Sequence, residues 1–83
     1  MANIHPGDGA YRLTSNGRSA DVDIDGSDLT FTFGVATFEW ANPPGAFIDT
    51  AHPLNAVTFD SDGSFMAIIN GIGHSGTFTP LPA

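Results

Sequence analysis

The chain contains no cysteine, no lysine and no glutamine, and Glu39 is its only glutamate. Without cysteine, neither a disulfide nor a thiolate-bound metal can supplement the core. Without lysine, the cationic side chains reduce to Arg12 and Arg18. Two arginines cannot assemble a basic patch, which argues against direct nucleic-acid binding. The phosphate-binding glycine loop and its lysine are absent too. The longest apolar run is Phe65 to Ile69, far short of the roughly 20 residues of a membrane helix. Met1 to Pro6 carries neither a basic segment nor an apolar stretch of signal-peptide type. The chain therefore reads as soluble and cytoplasmic, although a processed secreted form would look the same.

What is present is an acidic, apolar and turn-rich sequence. Its 83 residues carry a net charge of −7, with 41% hydrophobic positions, seven Phe, ten Gly and six Pro. That length allows one domain, burying roughly 60% of the unfolded surface. The apolar content is too high for a disordered acidic chain. Apolar residues recur at period two rather than 3.6. Tyr11 and Leu13 alternate with Arg12 and Thr14; Val22 and Ile24 with Asp21, Asp23 and Asp25. Leu29, Phe31 and Phe33 alternate with Asp28, Thr30 and Thr32; Phe38 with Thr37 and Glu39, followed by Trp40; Val57 and Phe59 with Thr58 and Asp60. Each run describes a half-buried strand. Asn16-Gly17, Asp25-Gly26 and Asp62-Gly63 punctuate the runs, as positive-φ hairpin positions require. Eight strands follow, near 10–15, 19–25, 28–33, 35–41, 46–50, 56–60, 64–70 and 75–79. The expected fold is all-β, a small antiparallel up-and-down barrel, with a two-sheet sandwich as runner-up. Residues 1–8 read as an extension and 9–83 as the domain.

Two halves, 9–44 and 45–83, can be overlaid. Gly9, Tyr11 and Thr14 match Gly45, Phe47 and Thr50. Asp23, Asp25-Gly26-Ser27 and Gly34 match Asp60, Asp62-Gly63-Ser64 and Gly71, and Thr37-Phe38 matches Thr77-Phe78. Each half is then a four-stranded meander. Phe65-Met66-Ala67-Ile68-Ile69 breaks the alternation by being apolar on both faces. So small a meander has little material to cover both faces of a strand, which argues for a homo-oligomer.

The strongest local motif is Asp21-Val22-Asp23-Ile24-Asp25-Gly26. It matches the first half of a calcium loop, but Thr32 stands where the bidentate Glu belongs. On a strand, those carboxylates lie about 6.5–7 Å apart, too far to share one ion. The motif reads as a solvated acidic face, and no metal or cofactor is expected. His5, His52 and His74 have no metal-ligand spacing. Gly73-His74-Ser75-Gly76-Thr77 falls short of a nucleophile elbow, because Thr77 replaces the final Gly. No acid–base pair can be placed, so an enzyme is not expected. The primary expectation is a non-catalytic module binding a small molecule or glycan at a barrel end or a subunit interface, through Trp40, Asn42, Phe47 and His74. Trp40 and its neighbours read equally as a plug closing that end. The alternatives are an acidic protein engaging a basic partner, in imitation of nucleic acid, through Asp21, Asp23, Asp25 and Asp28, and a structural self-assembling subunit.

Overall fold

The computed structural model describes residues 3–34 and 36–82 and contains strands and turns only. The strands are β1 (Asn3–Ile4), β2 (Gly9–Ser15), β3 (Arg18–Asp25), β4 (Asp28–Phe31), β5 (Thr37–Ala41), β6 (Ala46–Asp49), β7 (Ala56–Asp60), β8 (Ser64–Ile69) and β9 (Ile72–Pro80). All neighbours are antiparallel. β2 to β9 form a meander that closes through β2–β9, giving an eight-stranded barrel. Closure leaves no continuous open edge, which answers the exposure of unpaired backbone groups in an isolated meander. β1 is an added outer strand. β6 pairs with only Val57 and Ala56 of β7, and β1 takes the same side of β7 further along, at Phe59 and Asp60. Val35, read from sequence as the start of the fourth strand, lies outside the described residues, as do Met1 and Ala2 of the extension and Ala83.

The period-two pattern becomes an inside and an outside. Tyr11, Leu13, Val22, Ile24, Leu29, Phe38, Phe47, Val57, Phe59, Phe65 and Ala67 form the buried interior. Their strand neighbours, among them Arg12, Asp23, Thr30 and Glu39, face solvent. The turn at 42–45 divides the barrel into two four-stranded meanders, β2–β5 and β6–β9. The Asn42–Pro43 and Pro43–Pro44 peptide bonds of that turn are cis.

Three turns differ from the dipeptide reading. Asn16 and Gly17 both have positive φ, as a two-residue primed turn demands. At the next hairpin Asp25 stays in the strand, and Gly26-Ser27 makes the turn with only Gly26 at positive φ. Asp60 to Gly63 forms a longer turn, closed by the Gly63 N–H donating to the Asp60 carbonyl. The last hairpin uses Asn70-Gly71, with φ of 53° and 79°, so β9 begins at Ile72 rather than near residue 75. That signal was present in the sequence as a second Asn-Gly pair. Consequently His74 sits on a strand.

On β8 the alternation is restored by the barrel. Phe65 and Ala67 point inward, while Met66 and Ile68 are 54% and 44% exposed on the outer surface.

Candidate functional site

The antiparallel meander sends its turns to two opposite ends. At one end lie the turns 26–27, 42–45 and 61–63, the segment 5–8 and the exit of β9. At the other lie 16–17, residues 32–34 and 36, 50–55 and 70–71. The two ends are built differently.

The first end is filled. Trp40 packs on Phe47 with ring centroids 5.0 Å apart, and the His5 ring covers both at 5.1 and 5.2 Å. His5 is fixed by two bonds. Its Nε2 lies 2.7 Å from the Gly26 carbonyl oxygen, and the Gly7 N–H donates to its Nδ1 at 3.0 Å. Since Nδ1 accepts, Nε2 carries the hydrogen and donates to Gly26. The buried Tyr11 hydroxyl ties down the same segment, lying 2.9 and 3.0 Å from the Pro6 and Gly7 carbonyls. Its pKa is raised, first by burial and then by the Asp8 charge. Phe47 is fully buried and Trp40 half-buried, while Asn42 is exposed on the turn.

The second end is open. A cavity of about 450 Å³ enters the barrel there, floored by Leu13, Phe31, Phe65, Ala67 and Ile69. Arg18, Ser15, Asn16, Ser19 and His74 supply its polar lining, and Phe33 stands at its mouth. The opening has a structural cause. β9 pairs with β2 only from Thr77 to Pro80, so Ile72 to Ser75 are held by β8 alone. The β2–β3 and β8–β9 tips therefore diverge. One side-chain bond spans them, from Ser15 Oγ to the Ser75 carbonyl at 2.6 Å. Phe33 and Leu54, on connections at this end, are 74% and 89% exposed, and Ile72, the first residue of β9, is 61% exposed.

The four residues expected as ligand contacts are thus divided. Trp40, Asn42 and Phe47 belong to the filled end, and His74 lines the cavity at the other. Arg18 carries no sequence motif of its own, being one of only two cations. Its register could have identified it: Arg18 lies opposite Ser15 and shares the inward face with Ala20 and Val22.

At the same end of the barrel, the 50–55 turn is organised by a buried carboxylate. Asp49 faces inward from β6 and accepts from the N–H groups of Ala51 (2.9 Å) and His52 (3.3 Å), and from Asn55 Nδ2 (3.4 Å). Asn55 Oδ1 in turn accepts from the Asn70 N–H, joining two turns. The Ala51 N–H contributes most to holding the Asp49 carboxyl below its usual range; burial opposes this, and Asn55 and His52 add to it. A depressed folded-state pKa stabilises the fold above the unfolded value of about 3.9, and that contribution is lost as pH falls through the folded value. Urea midpoints measured from pH 6 downward are expected to fall for the wild type below about pH 4, and less steeply for Asp49→Asn. Parallel curves would show that Asp49 does not carry this pH dependence.

The acidic row lies on the outer face of β3. Asp21 is neutralised in place by Arg12, with Nε–Oδ1 at 2.9 Å and Nη2–Oδ2 at 3.2 Å. That bond lowers the Asp21 pKa. Cross-strand register places Asp25 opposite Asp28, and Asp28 opposite Glu39. Asp23, Asp25, Asp28 and Glu39 thus gather like charges towards the filled end. Among the described residues, no group of three His, Asp or Glu side chains is placed to hold a metal ion. No helix there is long and apolar enough to cross a membrane.

No family model, curated protein or solved structure matches this chain.

Proposed function

We propose that the protein is a non-catalytic binding module that takes a small, predominantly apolar molecule into the open end of its barrel. The observation that supports this most is the asymmetry of the two ends. One is packed with His5, Trp40 and Phe47. The other keeps a cavity of about 450 Å³ over an aliphatic and aromatic floor. That volume lies within the roughly 300–1,000 Å³ of small-molecule sites, and the lining follows their pattern of apolar walls with a few polar groups. The exposed Phe33 at the mouth extends the apolar surface outward, and Leu54 and Ile72 are exposed at the same end of the barrel. A second space of about 640 Å³ is lined by Phe65 and Met66 but also by Asn3, Thr58, Asp60, Ser64 and Ser75. Short polar side chains offer less to an apolar ligand. An apolar molecule is preferred to a glycan in this reading because Trp40 is half-buried against His5 at the opposite end.

Magnitudes suit a modest binder. Burying a chain of about eight carbons is worth on the order of 5 kcal/mol, implying a Kd of about 0.2 mM. At ten times Kd, the folded state gains about 1.4 kcal/mol, raising the melting temperature by about 6 °C or more. Octanol is therefore expected to produce such a shift in the wild type. Ala20→Phe and Ala67→Leu place bulk in the cavity from β3 and β8, and are expected to abolish the shift while still melting cooperatively. An unshifted wild type, or a shift retained by both variants, would refute the reading.

A further inference from the structure

We infer that the ligand is a single-chain amphiphile with an anionic head, whose carboxylate is held at the cavity mouth by Arg18 with His74 as a second donor. The inference rests on the cavity reading above and specifies the chemistry of its occupant.

Three observations carry it. First, the two arginines have different surroundings. Arg12 lies on the outer face and is engaged by both carboxylate oxygens of Asp21. Arg18 is on the inward face at the start of β3, among the residues lining the cavity. Among the described residues the only ion pair is that of Arg12 with Asp21, so Arg18 has its guanidinium fork available. A planar fork of N–H donors matches a carboxylate in bidentate geometry.

Second, charge is segregated along the barrel. Asp8, Asp23, Asp25, Asp28, Glu39, Asp60 and Asp62 all belong to the half nearer the filled end, by their strand positions and turns. Asp21 is paired with Arg12. The remaining carboxylate, Asp49, is buried and occupied by Ala51, His52 and Asn55. The molecule measures 28 × 28 × 24 Å. At physiological salt the Debye length is about 8 Å, so the distant acidic end does little to repel an anion at the mouth. A chain with net charge −7 thus offers an anion one approachable end.

Third, the cavity has a polarity gradient. Leu13, Phe65 and Ala67 lie on the barrel interior, while Ser15, Asn16, Arg18 and Ser19 cluster at the β2–β3 tip. An amphiphile entering tail first places its head at that tip. His74, opposite Ala67 on β9, contributes an imidazole from the other side of the opening.

The test compares octanoate, octanol and octylammonium by calorimetry on the wild type and on Arg18→Gln. Octanoate is expected to bind the wild type about tenfold more tightly than octanol, with octylammonium weakest. Arg18→Gln is expected to bring octanoate to the octanol value and leave octanol within about twofold. The octanoate advantage should shrink with added salt. Octanoate binding no tighter than octanol, or an advantage unchanged by Arg18→Gln, overturns the inference while leaving the cavity reading intact. Failure of all three to bind overturns both. Co-sedimentation with phosphatidylcholine vesicles containing an anionic lipid separates two sources of the same chemistry. Protein that stays in the supernatant yet binds octanoate takes a free acid. Protein that pellets with the vesicles, and ceases to in Arg18→Gln, takes its anionic chain from a bilayer.

Discussion

Phe47→Ala is expected to cost about 3–5 kcal/mol of folding free energy. Phe47 is fully buried, with the rings of His5, Trp40 and Phe59 at 5.2, 5.0 and 5.9 Å. Truncation leaves a void that three neighbouring rings cannot all close, because two of them are anchored. His5 is held by Gly7 and Gly26, and Phe59 is on a central strand between β1, β6 and β8. At about 0.05–0.15 kcal/mol per residue, a chain of this length has a total stability of roughly 4–12 kcal/mol. The loss is therefore a large share of the whole, and the unfolded fraction would rise by a factor of about 100 or more. Urea denaturation with Phe47→Leu beside Phe47→Ala gives the measurement. Leucine refills most of the volume and should recover much of the loss. A cost below about 1 kcal/mol for Phe47→Ala would mean that the filled end is not packed as described.

Gly76→Ala is expected to be almost as damaging, through addition rather than removal. Gly76 lies opposite Phe65 on β9, where β9 leaves the edge of β2. A Cβ built there overlaps the Thr14 carbonyl oxygen and comes within 3.1 Å of the Ser15 Cα. These are backbone atoms, so no rotamer change relieves the overlap. Either β2 or β9 must move, and their pairing is what closes the barrel. Overpacking against rigid neighbours costs about 3 kcal/mol at the upper end of its usual range, which lowers the melting temperature by about 12 °C or more. Gly73→Ala is the control, since nothing lies within 4 Å of its added methyl. Equal melting temperatures for the two variants would show that no close crossing exists at Gly76.

Most of the barrel was legible because a strand's two faces are written directly into its sequence. Tyr11/Leu13, Val22/Ile24 and Val57/Phe59 point inward wherever the sheet curves, since alternation is local geometry. The turns were less legible. Asp25-Gly26 and Asn70-Gly71 are both turn-forming pairs, yet only Asn70-Gly71 supplies both positive-φ positions of its turn. The number of residues between paired strands decides this, and register is a property of two strands together. Phe33 shows the limit of alternation: it continues the pattern of Leu29 and Phe31, but β4 ends at Phe31 and leaves its ring 74% exposed.

By itself the sequence determined an all-β meander, its interior residues and its acidic outer face, because period and turn chemistry depend only on neighbours along the chain. The tertiary structure decided which end of the barrel is filled and which is open. It carried the His5 segment onto Trp40 and Phe47, and it placed His74 and Arg18 together around the cavity at the opposite end. Those relations join residues dozens of positions apart, brought together by closure of β9 on β2, and no local pattern encodes where a closing strand must part from its neighbour.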